Sequence, residues 1–528
     1  MSATTAPKPL AFKRPFGIRD KLGYMFGDFG NDFTFILQST FFMIFYTNVV
    51  GINPAHVGAL LFGARLLDGF TDVGMGILVD RLPVKPGQAK FKRWIKWIAI
   101  PVAVASALMY SAFVADFDSY AMKIVWMCAT YLLWGSITYT AINIPYGSMA
   151  SVVSDDPDDR AQLSVWRSTG ATLANLAITS ILPLIIYTKT ADGVAIMSGP
   201  SMQMSAIACA VLAVLCYMGC YKLVEERVPS VIKGKDEGGA GIGGMLKAVF
   251  TNKALLGLIV AALILLLTFM FLGGLVGYLF LNYFNNGQLQ SPAALASLLP
   301  SFALIILSPW LAKKFGKAEV GIGAMLFGGI VFAIAYFMKI DNPVIWIALY
   351  AVGMFAIQVF NFLIWALITD VIDYQEVRTG SRDDGTVYAV YSWARKLGQA
   401  MAGGLTGVAL NWVGFDADSA KAGIEQSAEA KEGLYMLANL FPAIGCILVA
   451  LALLFLYPLK KKTVDENTRI LRERREAAGI IIGDAASTAD AGEPIVDAGA
   501  GTDGTLGLEG HPSDLDADDT GKYGRRSE

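Results

Sequence analysis

Twelve apolar runs recur along this chain of 528 residues, and each is long enough to cross a lipid bilayer. Because no water reaches the hydrocarbon core, a crossing segment must satisfy its own backbone hydrogen bonds, as an α-helix does. About 20 residues of α-helix span this core. The runs lie at residues 22–49, 57–79, 95–115, 121–144, 162–187, 203–224, 254–283, 293–312, 320–338, 343–369, 387–413 and 434–457. The sequence therefore predicts an all-α membrane protein with twelve transmembrane helices.

Composition agrees with a membrane protein and argues against enzymatic activity. Hydrophobic residues make up 55% of the chain and charged residues 16%, which is unlike an average soluble protein. The net charge of −2 argues against nucleic acid as a partner. The chain has two histidines, and its five cysteines all fall in apolar runs. We therefore expect no histidine metal site, no Ser-His-Asp triad, no enzyme and no cofactor.

Lysines and arginines predict the orientation of the chain. They cluster in the N-terminal segment and in the loops after the second, sixth and eighth runs, whereas the intervening loops are nearly bare. The positive-inside rule places those basic loops, and hence both termini, in the cytoplasm. The first 21 residues lack a small-residue cleavage pattern, so we expect no removable signal peptide and a multi-pass protein of the cell inner (plasma) membrane.

The runs divide into two related halves. A shift of 228 positions superposes Asp155 on Asp383 and Arg167 on Arg395, and glycines between the halves indicate a flexible connector. Duplicated halves around a midplane site are typical of secondary transporters. The predicted units are a cytoplasmic segment at 1–21, six-helix bundles at 22–224 and 253–457, a cytoplasmic loop at 225–252 and a largely disordered cytoplasmic tail at 458–528.

Three charged residues, Arg65, Asp68 and Asp72, interrupt the second run near mid-membrane. Spacings of three and four put them on one helical face. A charge at that depth costs about 2.5–3.5 kcal/mol, so the carboxylates should face water, a cation or partner helices rather than lipid. One reading is a structural pair of Arg65 with Asp68, which leaves Asp72 without a local partner. The other is a site where both carboxylates meet a monovalent cation or share a proton.

Polar residues also lie in the first and fourth runs. Asp28 and Asp32 stand four apart in the first run, and the deeper Asp32 is expected to contact a ligand. Asp28 either does the same or pairs with a loop lysine. In the fourth run, Asn143 offers a donor and an acceptor that suit a sugar hydroxyl, a cation shell or an inter-helix amide bond.

Basic residues balance these acids. Arg167 in the fifth run and the pair Arg395 and Lys396 in the eleventh supply positive charge at membrane depth. We expect the acids and bases to neutralise one another across a central cavity, because unpaired charges there are costly. The network would then respond to ion occupancy.

Acids at the end of the tenth run form a separate group. Asp370 and Asp373 share a helical face at the cytoplasmic mouth, and Arg378 follows. These residues are expected to gate the inner side through ion pairs that part in one state. Simple capping of a helix end is the alternative.

Four motifs, in this order, resemble those of the glycoside-pentoside-hexuronide:cation symporters, a branch of the major facilitator superfamily. The resemblance runs from about residue 15 to 457 and implies the major facilitator fold, with two six-helix halves. The motifs are Gly-Asp-Phe-Gly at 27–30, Ala-Arg-x-x-Asp-x-x-x-Asp at 64–72, Asn-Ile-Pro-Tyr-Gly-Ser at 143–148 and Asp-x-x-Asp-Tyr-x-Glu at 370–376.

The resemblance implies inward transport of a glycoside, pentoside or hexuronide coupled to Na⁺ or H⁺. By similarity to the melibiose permease branch, Asp68 and Asp72 form the cation site with help from Thr140. They would be the Na⁺ ligands if Na⁺ is the coupling ion. Asp32 and Arg167 would bind sugar, and Lys396 would link the two sites.

Two differences from the melibiose permease branch leave the identity of the coupling ion and of the sugar undecided. The melibiose branch has aspartate at the position of Asn143 and asparagine at the position of Thr71. The segments that begin at Asn143 and at Arg395 look more like the glucuronide and pentoside permeases. Asn143 therefore stays a candidate for both the cation site and the substrate site.

Other functions predict different features. Lysolipid carriers of animals share the branch, and such a protein would need a lateral apolar groove with a basic headgroup site. A membrane enzyme is disfavoured by the scarcity of histidine, and a sensor would bind sugar without counterflow. The predicted partners are a small sugar, a monovalent cation and the lipid bilayer.

Overall fold

The computed structural model describes residues 14–82, 89–228, 252–380 and 384–477, and helices dominate it. The helices of the N-terminal half are α1 (Ile18–Phe45), α2 (Pro54–Arg81), α3 (Lys92–Leu108), α4 (Tyr120–Leu132), α5 (Thr140–Val153), α6 (Pro157–Ile186) and α7 (Gly199–Leu223). Those of the C-terminal half are α8 (Lys253–Tyr278), α9 (Gln290–Leu298), α10 (Ser301–Phe315), α11 (Lys317–Met338), α12 (Pro343–Thr379), α13 (Asp384–Trp412), α14 (Ala417–Lys421), α15 (Ala428–Leu451) and α16 (Lys461–Ala477).

Short turns and a hairpin complete the secondary structure. Four helices include or end in π-helical turns, at Tyr46–Val50, Leu133–Tyr139, Leu279–Tyr283 and Ala452–Leu456. Short 3-10 turns occupy Ala112–Asp116 and Gly287–Leu289. Strands β1 (Tyr187–Lys189) and β2 (Ala195–Met197) pair antiparallel, with Tyr187 opposite Met197. We call the side that carries this hairpin the hairpin side, and the other side, where α1 begins and α15 ends, the terminal side.

In the described part of the chain, eight helical segments are long and apolar enough to cross a membrane. The predicted all-α membrane fold is therefore confirmed. Four further rods lie among these eight, namely α2, α4 with α5 (called the fourth rod, after the fourth predicted run), α9 with α10, and α13. All four rods are less apolar than the eight segments. Charged residues lie within α2 and α13, and each of the other two rods consists of two shorter helices.

Several helices extend beyond the predicted apolar runs. The tenth run was predicted to end at 369, but α12 continues to Thr379 and stops where Gly380 adopts a left-handed φ of 72°. Likewise the fourth rod continues through Pro145 to Val153. The helices are longer than their apolar runs because their last turns lie beyond the hydrocarbon core, where exposing a polar side chain costs no free energy of desolvation.

Two hydrophobic cores show where the halves meet. The first core is built from the N-terminal half together with residues near the hairpin side from four C-terminal helices, among them Phe271, Leu410, Ala417 and Leu434. The second core is made from the C-terminal half alone. The two halves therefore share apolar packing at the hairpin side.

Helices α2 and α13 cross closely near that side. A Cβ at Gly58 would lie 2.9 Å from the carbonyl oxygen of Gly404 and 2.9 Å from Gly407 Cα, so a side chain there would clash. Polar contacts add to this junction: the Thr47 and Tyr278 hydroxyls lie 2.7 Å apart. Among the hydrogen bonds of the described residues, those between the halves lie at the hairpin side or, in one case, at mid-depth. Within the described residues, hydrogen bonds therefore join the two halves at the hairpin side and at mid-depth.

The terminal side of the N-terminal half is braced by the start of the connector. Arg227 pairs with Asp20 at 2.8 Å, and the carboxylate of Glu226 accepts the backbone N–H groups of residues 90, 91 and 92 at 2.6–2.9 Å. These are the unsatisfied donors at the start of α3. Most of the predicted loop 225–252, the first 13 residues and the tail beyond 477 lie outside the described residues.

Candidate functional site

The two carboxylates of α2 lie against the fourth rod. The Ser136 hydroxyl donates to Asp68 Oδ1 at 2.7 Å, and the Thr140 hydroxyl donates to Asp72 Oδ1 at 2.9 Å. Both pairs repeat at a spacing of four residues, because the two helices run side by side in the same direction. The carboxylates thus face partner helices, as their depth in the membrane predicts.

The two hydroxyl donors, Ser136 and Thr140, lie in and directly after a π-helical turn. Residues Leu133–Tyr139 form a wider turn, and the Thr140 hydroxyl is also 3.2 Å from the Gly135 carbonyl oxygen. Ser136 and Thr140 are buried, whereas Asp68 and Asp72 remain 16% and 23% exposed through their side chains. π-helical turns are frequent at functional sites because they break the regular hydrogen-bond ladder.

Each carboxylate of α2 also has a basic partner. Arg65 lies 3.7 Å from Asp68 and rests over the Phe35 ring. Lys396 of α13 lies 3.3 Å from Asp72 Oδ2. The sequence left Asp72 without a local partner, and the structure supplies one from the other half of the chain.

These four oxygen donors match the ligand type that a cation requires. Two carboxylates and two hydroxyls are hard oxygen donors, which suit Na⁺ or a proton shared between acids. In the described residues, no group of three or more His, Cys, Asp and Glu side chains could hold a metal ion. Arg65 already compensates part of the two negative charges, which favours a monovalent cation over a divalent one.

Asn143 lies one turn beyond Thr140 and faces α1. The Asn31 amide donates to Asn143 Oδ1 at 3.3 Å, and the Tyr217 hydroxyl donates to Asn31 Oδ1 at 2.9 Å. The inter-helix amide bond that the sequence allowed is therefore present. The roles of Asn143 in cation and sugar binding stay predictions.

The first-run acids have different surroundings. Asp28 pairs with Arg167 at 3.0 Å, not with a loop lysine. The Arg167 guanidinium lies over the Tyr146 ring, and the Tyr146 hydroxyl donates to the Tyr24 carbonyl at 2.7 Å. Asp32, one turn deeper, makes no hydrogen bond or ion pair with other residues described by the structure, and it is partly exposed. The role of Asp32 in ligand binding stays a prediction.

Two of the predicted gate residues, Asp370 and Arg378, contact neighbours within the C-terminal half. Lys317 at the start of α11 lies 2.7 Å from Asp370, and Arg378 donates to the Tyr374 hydroxyl at 3.1 Å. Asp373 lies between them on α12. Helix α16 caps this end of α12, because Arg475 pairs with Glu376 at 3.3 Å. The gating role of Asp370, Asp373 and Arg378 remains a prediction.

Sequence reasoning missed Ser136. Its signal was available, since Ser136 precedes Thr140 by four residues, the same spacing as Asp68 and Asp72. What the sequence lacks is the register of the two helices, which decides that the hydroxyls and the carboxylates meet.

Comparison with known proteins gives consistent matches. The family described as MFS/sugar transport protein matches residues 23–461. The chain is 30% identical to the isoprimeverose transporter of Lactiplantibacillus pentosus, over 88% of this chain and 96% of that protein. It is 28% identical to the putative glycoside/cation symporter YagG of Escherichia coli, over 89% and 98% of the two chains.

A solved structure has the same fold. A bacterial homologue of the human lysosomal transporter Spinster, in an inward-facing and unoccupied conformation, matches with a TM-score of 0.58. The match covers 85% of this chain and 97% of that one, at 13% sequence identity. At this identity the likeness concerns the fold alone.

Proposed function

Because the chain belongs to the MFS/sugar transport protein family, we propose that it is a secondary active transporter that carries a sugar with Na⁺ or H⁺. The names of two relatives support this proposal, since one is a putative glycoside/cation symporter and the other an isoprimeverose transporter. The partners in this proposal are a glycoside, pentoside or hexuronide, the coupling ion and the lipid bilayer. Neither a cofactor nor nucleic acid takes part.

The observation that carries the coupling is the position of Asp72 between the two halves. One oxygen of Asp72 accepts from Thr140 in the N-terminal half, and the other lies 3.3 Å from Lys396 in the C-terminal half. A cation or proton that neutralises Asp72 weakens its attraction for Lys396. Ion binding and the contact between the halves are therefore linked, and linkage works in both directions.

In the proposed cycle the ion binds among Asp68, Asp72, Ser136 and Thr140. The positive charge of the ion relieves the repulsion between the two carboxylates. In the absence of the ion, Arg65 and Lys396 reduce this repulsion. Lys396 is then released toward the space between the halves, where the substrate binds. The free energy of ion entry thereby favours sugar binding and drives accumulation.

The proposed sugar site lies beside the ion site. Asp32 and Arg167 would bind sugar hydroxyls, with Asn143 and Lys396 at the boundary between the two sites. Asp32 supports this assignment most strongly, because a carboxylate at membrane depth without a partner among the described residues is costly unless a ligand uses it.

The proposed location is the cell inner membrane, with both termini in the cytoplasm. The terminal side is then cytoplasmic, and the junction at the hairpin side closes the outer mouth. Asp370, Asp373 and Arg378 lie at the cytoplasmic end of α12, where ion pairs between the halves would close the inner mouth in the opposite state.

Uptake by proteoliposomes tests this function. A panel of labelled glycosides, pentosides and uronides is offered at varied Na⁺ concentration and pH, with Asp72→Asn as the variant and Asp192→Asn, in the exposed hairpin loop, as the control. We expect ion-driven accumulation by the wild-type and control proteins and its loss in Asp72→Asn. Accumulation against a gradient by Asp72→Asn would contradict the coupling assignment. Transport of lysolipid and of no sugar would favour the amphiphile carrier instead.

A further inference from the structure

Arg395 on α13 is a positive charge without an acid partner in the described part of the chain. Its guanidinium lies 5.3 Å from the centre of the Trp365 ring on α12, and no carboxylate of the described residues pairs with it. The neighbouring Lys396, by contrast, lies 3.3 Å from Asp72. Arg395 therefore differs from the base beside it.

The other bases at this depth are all paired. Each of three basic side chains has one acid partner within 3.7 Å, and the pairs are Arg65 with Asp68, Arg167 with Asp28 and Lys396 with Asp72. Outside these three pairs, one base, Arg395, and one acid, Asp32, remain at this depth. A cation–π contact offsets only part of the cost of holding a guanidinium at membrane depth.

Arg395 borders the space between the halves. Exposed apolar residues such as Met401 and Val408 mark the outer face of α13. By helical periodicity, Arg395 and Lys396 lie on the opposite face of the helix. Lys396 reaches across to Asp72 in the other half, so this face of α13 lines the space between the halves. A molecule bound there would meet the Arg395 guanidinium.

Among the described residues, no hydrogen bond or ion pair occupies the N–H edge of the Arg395 guanidinium. The Trp365 ring contacts the guanidinium from one side, and Tyr391 packs edge-on against Trp365 at 5.3 Å, which fixes the indole. A planar guanidinium that rests on an aromatic ring presents a fork of N–H donors matched to two oxygens of a carboxylate or similar anion. This is the donor set of a preorganised anion site.

We propose that Arg395 recognises an acidic group of the substrate, and that the transported sugar therefore carries a carboxylate or a sulfonate. This inference rests on the sugar transport proposed above and deepens it. The acidic group lies against Arg395, and hydroxyls on the sugar donate to Asp32. Trp365 is a positioning residue that holds the guanidinium flat.

Charge balance gives the proposal an independent argument. An anionic sugar that enters with one monovalent cation adds no net charge to the space between the halves. The protein's own charges at this depth already balance, since four bases face four acids: Arg65, Arg167, Arg395 and Lys396 against Asp28, Asp32, Asp68 and Asp72. A neutral sugar with the same cation would instead leave one positive charge in excess at membrane depth, which is unfavourable.

Matched sugars test the proposal in proteoliposomes. Methyl glycosides of the gluco and galacto series are offered in three forms: neutral, with the primary alcohol oxidised to a carboxylate, and with a sulfonate in its place. Wild-type protein is expected to take up at least one acidic form about tenfold or more faster than the neutral one. The carboxylate and sulfonate arms show which acid the site accepts.

The variants are Arg395→Gln, Arg395→Lys and Trp365→Ala, with Lys339→Gln on the hairpin side as the control. Arg395→Gln should lower uptake of the acidic sugar about tenfold or more while uptake of the neutral sugar is kept or increased. Arg395→Lys should retain part of the preference, because it keeps the charge and loses the planar fork. Trp365→Ala should reduce the preference without removing it.

Three results would overturn the proposal. Equal uptake of neutral and acidic sugars by the wild type would do so without any variant, and would leave the proposed sugar transport intact. A proportional loss of both sugars in Arg395→Gln, with the protein still monodisperse in detergent, would show a structural role instead. Uptake of no sugar in either series by the wild type would remove the proposed function and this inference together.

Discussion

Lys396 and Asp72 form an ion pair of 3.3 Å between residues that are 324 positions apart in the chain. Among the ion pairs of the described residues, it is the one that joins the two halves. The Asp72 carboxylate also accepts a hydrogen bond from Thr140, so this proposed ion ligand contacts both halves of the chain.

Replacing Lys396 with glutamine should tighten ion binding and weaken coupling. In the proposed cycle Lys396 competes with the cation for Asp72, so its removal is expected to increase cation affinity roughly twofold to fivefold, the range for a partly exposed ion pair. Cation titration of the purified protein measures the first effect and sugar accumulation the second. Lys339→Gln is the control, since Lys339 pairs with Glu432 on the surface, where both side chains are 74% exposed. A lower cation affinity in Lys396→Gln would contradict the competition.

Removing the Ser136 hydroxyl tests its part in the ion site. Ser136→Ala loses a buried hydrogen bond to Asp68 of about 0.5–1.5 kcal/mol, so cation affinity should fall between about twofold and tenfold. Ser151→Ala, on the exposed surface of α5, is the matched control. Cation titration in the absence of sugar separates this effect from changes in sugar binding, and an unchanged affinity would exclude Ser136 from the site.

An alanine at Gly407 should disrupt the junction at the hairpin side. Its Cβ would clash with the backbone of α2 at Pro54 and Gly58, and overpacking of this kind costs about 1–3 kcal/mol. We expect a lower apparent melting temperature and slower transport. Gly63→Ala adds the same methyl group where nothing lies within 4 Å. That control should be neutral or slightly stabilising, because alanine favours a helix over glycine. Equal effects of the two substitutions would argue against a close crossing.

Neutralising Glu226 should destabilise the N-terminal half. Glu226→Gln weakens charge-assisted hydrogen bonds to the three backbone N–H groups at the start of α3, at a cost of about 1–3 kcal/mol. Thermal unfolding in detergent measures the loss, and Glu429→Gln at an exposed position of α15 is the control. Since Glu226 lies far from the ion site, the cation affinity of the folded variant should not change. A selective loss of cation affinity would show that the brace and the site are coupled.

Part of the candidate site could be predicted before the fold was seen. The spacing of Asp68 and Asp72 placed both on one face of a helix, and their depth excluded lipid as their neighbour. The partner of Asp28 could not be predicted in the same way. The sequence offered a loop lysine, whereas the structure brings Arg167 from another helix to 3.0 Å.

The sequence by itself determined the membrane-spanning helices and the faces that carry charge, because both depend on residues within a few positions of one another. A run of apolar residues forms a helix in lipid whatever surrounds it. The tertiary structure alone decided which acid meets which base, that Ser136 reaches Asp68, and that Arg395 remains without an acid partner among the described residues. Those outcomes depend on the register and crossing of helices distant in the chain, which the close packing of α2 and α13 sets and no local pattern encodes.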